Sequence, residues 1–403
     1  MQTTITHKIM RVHYNHKVGC EMAYFDYASV GVPDPTIMQE GKRFLEKLPE
    51  EIEQGGGDYT LRLLGLYEET RQKIADTYQV PKRNIAFIQN TTEGLGIIAN
   101  ALYQSLEKVH VLVPDIDFIS SSLVWKQNSD SIEYVKSAWG CVSPTAIVNQ
   151  MKEHTNVLCL SSVQEVSGYR ISFQDLLKKR EKRDDEYWII DGIQEAGIFH
   201  RNLVKDQIDA YIVGGHKWLS CPFGIGFMYV SDRLLNKISP AYYGYFNLNE
   251  PEIGWVDYLE SRERSLQDSF TTNVHASNLE PGGMINAFGA LMLGQSFSKW
   301  NTFGIEKASS AIIEKQQRIR DWFEGIRSCS VLGSDRSNDW SGIVTVTHQD
   351  GIQKEKEIMR RLQEAGIKAS LRSIEGVGGI RLSVHYETTE RQIEELLAPF
   401  LWE

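Results

Sequence analysis

Between residues 84 and 230 the chain repeats one pattern, a short and largely apolar run followed by a stretch with helical periodicity. The runs are 84–89, 109–113, 157–161, 187–190, 210–213 and 226–230. A strand with one wet face alternates polar and apolar residues. These runs do not alternate, so both of their faces must be covered. Buried strands alternating with helices fold as a mostly parallel α/β sheet with helices on both sides. Amphipathic helices are predicted at 35–48 and 61–78, separated by the flexible Gln54-Gly55-Gly56-Gly57, and another at 95–106.

The pattern changes near residue 294. A long helix is predicted at 305–326, a strand at 342–347, a helix at 354–364, a strand at 379–384 and a closing helix at 390–401. That is an α+β arrangement. A chain of 403 residues is too long for one small core, and the best join lies at 294–304.

Charge and cysteine usage narrow the class. Lys and Arg number 43 and Asp and Glu 53, a net −10. A nucleic-acid coat needs a basic footprint, so that role is excluded. The run Lys178-Lys179-Arg180-Glu181-Lys182-Arg183 reads as the solvated end of a helix. No stretch reaches the ~18 apolar residues of a membrane span, and residues 1–15 lack the apolar core of a secretory signal. Cys20, Cys141, Cys159, Cys221 and Cys329 are odd in number, spread out and without CxxC. A reducing cytoplasm is expected. His13 and His16 have metal-pair spacing but sit in a polar segment, so no metal is expected. HExxH, GxxxxGK[ST] and a GxGxxG opening a βαβ unit are absent.

Three segments carry chemistry. In Asn90-Thr91-Thr92-Glu93-Gly94 a strand runs into a helix, whose free N–H groups and hydroxyls can hold a phosphate. In Trp188-Ile189-Ile190-Asp191-Gly192-Ile193-Gln194 an acid ends a strand, where α/β sheets bind ligands. It can serve a metal, a ribose hydroxyl or a protonated ring nitrogen. In Gly214-Gly215-His216-Lys217-Trp218 two glycines turn the chain into a lysine, and a lysine shielded from water can lose its proton and form a Schiff base. A phosphate cradle, an acid for a pyridinium nitrogen and a lysine for an aldehyde are together the parts that hold pyridoxal 5′-phosphate.

On these residues the chain resembles the class V aminotransferase family of pyridoxal-phosphate enzymes, which includes cysteine desulfurases, cystine C–S lyases, kynureninases and isopenicillin-N-epimerase-like proteins. The likeness runs from Tyr24-Phe25-Asp26-Tyr27-Ala28-Ser29 to Ile380-Arg381-Leu382-Ser383-Val384-His385-Tyr386. It implies an aspartate-aminotransferase-like fold: an N-terminal segment, 1–30, packed on the small domain; a large cofactor-binding domain, 31–295, with a mainly parallel seven-stranded sheet; and a smaller C-terminal α+β domain, 296–403. It also implies a homodimer with the site at the subunit boundary.

The roles that the resemblance implies fall on matching positions. Lys217 is the Schiff-base lysine and carries the substrate's α-proton. Asp191 pairs with the ring nitrogen, and Gln194 bonds the ring's phenolic oxygen. Thr91 and Thr92 lie at the phosphate, with His216 there or supporting the loop. Phe118, in Asp117-Phe118-Ile119-Ser120, stacks on the ring. Gln164, in Ser161-Ser162-Val163-Gln164-Glu165-Val166-Ser167-Gly168, faces the cofactor or substrate. Asn278 reaches the partner's phosphate. Arg381 grips the substrate's α-carboxylate through its planar fork, with Arg372 as its rival. Two positions depart from the family. Gly214 stands where relatives often carry Ser, and Phe118 stands where some carry His.

The reaction is less constrained. Desulfurases use a nucleophilic cysteine shortly before the carboxylate arginine, and residues 359–381 contain none. Cys221, four residues after Lys217, reads as a structural thiol. The expected activity is therefore a C–S or related β-elimination on an amino-acid substrate. Transamination and epimerisation are the alternatives within the family, and a non-catalytic cofactor-binding regulator is the alternative outside it. The aromatic segment 242–255 either walls a pocket or packs a dimer interface.

Overall fold

The computed structural model describes residues 22–265 and 267–402. His13, His16 and Cys20 lie outside them. The strand β1 (Ala23–Tyr24) opens the described chain. It is followed by β2 (Ile85–Ile88), β3 (His110–Pro114), β4 (Ser131–Val135), β5 (Val157–Ser161), β6 (Tyr187–Asp191), β7 (Ala210–Gly214) and β8 (Gly226–Val230). Strands β2 to β8 form one seven-stranded sheet in the order β2-β8-β7-β6-β5-β3-β4. Its neighbours pair in parallel except for the two pairs that β8 makes. This is the mainly parallel α/β sheet that the apolar runs predict.

The runs are apolar throughout because the sheet divides two cores. On β6, Trp188 and Ile190 enter one core, and Tyr187 and Ile189 the other. On β7, Tyr211 and Val213 are opposed in the same way to Ala210 and Ile212. Side chains alternate across a strand, so covering both faces requires apolar residues at every position. The edge strand β4 pairs only with β3 and is mostly half-buried. Its sequence, Ser-Ile-Glu-Tyr-Val, has no apolar run to announce it.

Two helices, Pro35–Gly55 and Gly57–Tyr78, precede the sheet. Asp34 caps the first, accepting from the N–H groups of Thr36 at 2.7 Å and Ile37 at 3.1 Å. The helix passes through Pro49, which is exposed, and does not stop at Leu48. The expected flexible linker shrinks to one residue, Gly56, at φ 48°, a conformation that glycine adopts readily.

A further helix, Ala287–Phe303, packs on these two. The boundary placed at residue 295 falls inside it. The chain turns instead at Gly304, φ 96°, into the helix Ile305–Glu324. Beyond lie β9 (Cys329–Val331), β10 (Ile343–His348), β11 (Ile367–Lys368), β12 (Ser370–Ile374) and β13 (Val377–Ser383). Four of them form a second sheet, β12-β13-β10-β9, while β11 pairs in parallel with β1. Phe25 is buried in the same core as Val344, Val346 and Leu382, and its carbonyl accepts from the Ser383 N–H at 2.8 Å. The closing helix is Glu390–Leu396, shorter than the predicted 390–401, with a 3-10 turn at Pro399–Leu401.

The basic run is only partly solvated. The helix Phe173–Lys179 ends inside it, but the Lys182 side chain is 5% exposed and its Nζ lies 2.5 Å from Asp209 Oδ2. Among the described residues no helix is long and apolar enough to cross a membrane. Among them, too, no group of three or more His, Cys, Asp or Glu is placed to hold a metal.

Candidate active site

The carboxyl ends of β2, β3, β5, β6 and β7 lie at one edge of the large sheet. The antiparallel β8 begins at the same edge, with Gly226 registered against both Ile88 and Gly214. The chemistry-bearing segments follow these strand ends, so one edge collects them.

Lys217 lies on the loop that leaves β7 and returns as β8. The loop is braced from within: the Gly215 N–H donates to Ile225 O, that of Cys221 to Gly215 O and that of Ser220 to Lys217 O, each at 2.9 Å. It is braced from outside by the Gly31 N–H, which donates to His216 O at 2.8 Å. A Cβ at Gly31 would overlap the carbonyl oxygen of Lys217, so only glycine fits against the loop. Lys217 Nζ lies 5.7 Å from the ring centroid of Phe118. Burial lowers its pKa to about 8, with Asp191 and Glu165 opposing the shift and Arg381 and Arg372 adding to it. About a tenth of the amine is therefore unprotonated at neutral pH, far more than for an ordinary lysine.

Asp191 ends β6 and is buried. Its Oδ1 accepts from the Ile193 N–H at 2.9 Å. Burial raises its pKa to about 6, against that bond and the charge of Lys217, so it is mostly ionised at neutral pH. Gln194 is buried with its amide engaged: Nε2 donates to Ala28 O at 3.0 Å and Oε1 accepts from Trp218 Nε1 at 2.9 Å. One amide N–H remains for a ring oxygen.

Asn90 caps the helix Thr91–Ser105, accepting from the Glu93 N–H at 3.0 Å. Thr91 Oγ1 accepts from the Gly214 N–H at 2.9 Å, and Thr92 Oγ1 lies 2.8 Å from Ser120 Oγ. His216 packs against Phe223, ring centroids 5.2 Å apart, and burial lowers its pKa to about 4. Its ring is therefore neutral at pH 7. Asn278 makes a local bond within its own turn, donating to Asn273 O.

Four residues at this edge carry no sequence-assigned role. Ser120 extends the hydroxyl pair at the helix start. Asp117 Oδ2 accepts from the Ser161 N–H at 2.8 Å, while Oδ1 is buried with no protein partner. Burial raises its pKa to about 7. Gln164 Oε1 is likewise buried and unpartnered. Ser29 Oγ receives Nη2 of both arginines, Arg381 at 2.6 Å and Arg372 at 3.1 Å. Glu165 Oε2 lies 3.2 Å from Arg381 Nη1. No sequence spacing announces these contacts, since Ser29 and Arg381 are 352 residues apart.

Cys221 is buried, with Sγ 3.1 Å from Ser296 Oγ, and burial pushes its thiol up to about 12. It is inert at neutral pH. Cys141 is pushed up to about 11 for the same reason, and Cys159 and Cys329 are raised as well.

The residues fit pyridoxal phosphate. The amine faces an aromatic ring, an ionised carboxylate ends the next strand, and hydroxyls gather at a helix start.

Comparison with known proteins agrees. The family described as Aminotransferase class-V matches residues 23–396. A probable cysteine desulfurase of Methanothermobacter thermautotrophicus is 23% identical over 390 residues, covering 93% of this chain and 92% of its own. One from Pyrococcus abyssi is 21% identical over 393 residues, covering 94% and 93%. A solved cystine C–S lyase in complex with its product, cysteine persulfide, has the same fold, with a TM-score of 0.80 at 19% identity, covering 95% of this chain and 98% of its own. The chain belongs to the class V aminotransferase family, and its cofactor is pyridoxal phosphate.

Proposed function

We propose that the protein cleaves a C–S or related β-bond of an amino acid, and that it does so as a cytoplasmic homodimer. The observation that carries this reading is Lys217. Its amine, with a pKa lowered to about 8 by burial, faces the ring of Phe118 and feels the charge of Asp191.

The cofactor would be held covalently by Lys217, with Thr91, Thr92 and Ser120 at its phosphate, Asp191 at its ring nitrogen, Gln194 at its phenolic oxygen and Phe118 on its face. When bound, it supplies an electron sink for the bond broken at the substrate's α-carbon. The chain's own residues do the rest. Lys217 Nζ, once free, takes the α-proton and holds it while the β-substituent departs with its electron pair. Asp191 keeps a negative charge at the ring nitrogen. Phe118 excludes water from one face and carries no proton. Arg381 and Arg372 orient the carboxylate.

The β-elimination reading is supported by the absence of cysteine from residues 359–381 and by the raised thiols of the described cysteines. Each lacks the thiolate that persulfide chemistry needs. A desulfurase activity is the second reading, favoured by the names of the relatives above. Products separate the two. Elimination from cystine or a cysteine conjugate yields pyruvate and ammonia with a persulfide or thiol released, whereas desulfuration of cysteine yields alanine. Absence of pyruvate from every β-substituted amino acid would overturn the elimination reading, and alanine in its place would establish desulfuration.

The homodimer is supported by apolar side chains left in water. Met38, Leu45 and Ile52 on one helix, Leu61 on the next, and Tyr242, Tyr243 and Tyr245 are all exposed. Patches of this kind mark protein contacts. Sedimentation at micromolar concentration giving one 45.9 kDa chain would refute it.

A further inference from the structure

Arg381 is fully engaged before any ligand arrives. Its Nε donates to Ser370 Oγ at 3.2 Å, and Nη1 to both the main-chain oxygen of Glu165 at 3.1 Å and Glu165 Oε2 at 3.2 Å. Its Nη2 donates to Ser29 Oγ at 2.6 Å, with Asp26 Oδ1 at 3.6 Å. A guanidinium has five N–H groups, and this one, 1% exposed, has an acceptor near each. A substrate carboxylate can enter the fork only by replacing one of them.

Glu165 Oε2 is the replaceable acceptor. Its side chain is 20% exposed. Asp26 is 9% exposed and accepts from Ser29 at 2.7 Å, and Ser370 is buried. The displaced carboxylate cannot travel far, because the main-chain oxygen of Glu165 is itself held by Nη1. It stays at the site, where it already acts on the charges of Lys217 and Asp191.

Charge balance decides what Glu165 meets next. Around Ser29 stand two guanidiniums, Arg381 and Arg372, and two carboxylates, Asp26 and Glu165. The substrate's α-ammonium goes to the cofactor at Lys217, so the α-carboxylate alone enters this fork and adds a negative charge in a place largely shielded from water, where unpaired charge is unfavourable. A cation on the substrate's side chain restores the balance.

We propose that Glu165 is a specificity-determining residue. It yields Arg381 Nη1 to the substrate's α-carboxylate and then pairs with a cationic group on the substrate's side chain, so that amino acids with a second ammonium group are preferred over neutral ones. The inference rests on the reading of the protein as an amino-acid enzyme.

The test uses the pyridoxal-phosphate-loaded enzyme and two ligands of near-equal size, S-(2-aminoethyl)-L-cysteine and S-propyl-L-cysteine. Binding is read by calorimetry and by the change in the cofactor's visible absorbance. The wild type should bind the aminoethyl compound at least about tenfold more tightly than the propyl compound. Glu165→Gln should bring that ratio close to one, and it should bind the propyl compound more tightly than the wild type, because the fork is no longer contested by an anion. Glu165→Asp, which keeps the charge on a shorter stem, should retain an intermediate ratio, and it serves if the Gln variant does not fold. A ratio unchanged by both substitutions, or a wild type that favours the propyl compound, overturns the assignment while leaving the enzyme reading in place. A folded protein that takes up no cofactor overturns both.

Discussion

The hydroxyl of Thr91 accepts a 2.9 Å hydrogen bond from the main-chain N–H of Gly214, so the start of the helix Thr91–Ser105 is tied to the end of the strand that delivers Lys217. Both groups are buried. Thr91→Val keeps the shape and removes the acceptor, stranding a buried N–H at a cost of about 1–3 kcal/mol. Urea denaturation should show that loss. Thr91→Ser should recover most of it, and equal stability of the Val variant would refute the tie.

Lys217 gives the apoprotein a pH signature. Its ordinary pKa of 10.5 falls to about 8 in the fold. Between those values the unfolded chain holds a proton that the folded chain has released, so the stability of the apoprotein rises with pH across that window. Lys217→Met should be more stable than the wild type below pH of about 8 and should lose the slope. Denaturation curves measured on either side of the window check this. The wild type should also react with pyridoxal phosphate along a titration centred near pH 8, and the variant should not react at all.

Asp117 should behave in the opposite sense. Its carboxyl is raised from 3.8 to about 7, chiefly by burial. The folded chain then holds a proton that the unfolded chain releases, and the associated stability is lost as pH rises from about 4 through about 7. Asp117→Asn keeps an oxygen for the Ser161 N–H and cannot ionise. It should be at least as stable as the wild type at pH 8 and should show a flatter profile. A variant less stable at pH 8 than at pH 5, as the wild type is, would contradict the assignment.

Gly31 backs the lysine loop without touching the chemistry. Any Cβ there meets the Lys217 carbonyl, so Gly31→Ala must push the loop away from its position. Cofactor affinity should fall at least about tenfold, with far-ultraviolet circular dichroism unchanged. Unchanged cofactor affinity would mean that the loop relaxes freely.

The legible parts of the chain were those set by local pattern. The strands from β5 to β8 stand out because both faces are buried, and Asp191 and Lys217 stand out because each ends such a strand. The helix Ala287–Phe303 does not. It is buried over much of its surface and contains Gly, Ser and Asn, so it has neither a polar stripe nor strong helical propensity. Its position explains why the change of pattern near residue 294 marks the middle of a continuous helix, whose end at Phe303 lies within the 294–304 join. The contacts of Glu165 were illegible for a different reason. Its partner Arg381 is 216 residues away, and only the closure of the second sheet over the first brings them together.

The antiparallel direction of β8 has a consequence for how the lysine can move. Gly214 and Gly226 are registered partners, so the segment carrying Lys217 leaves and re-enters the sheet at adjacent points, like a ring set into a wall. Such a ring has no free end to swing. The amine can reach a new position by turning its own side-chain bonds, while the main chain beneath it is anchored at both ends by paired strands. An amine carried in this way keeps the alignment of its main chain, and its own side chain does the adjusting.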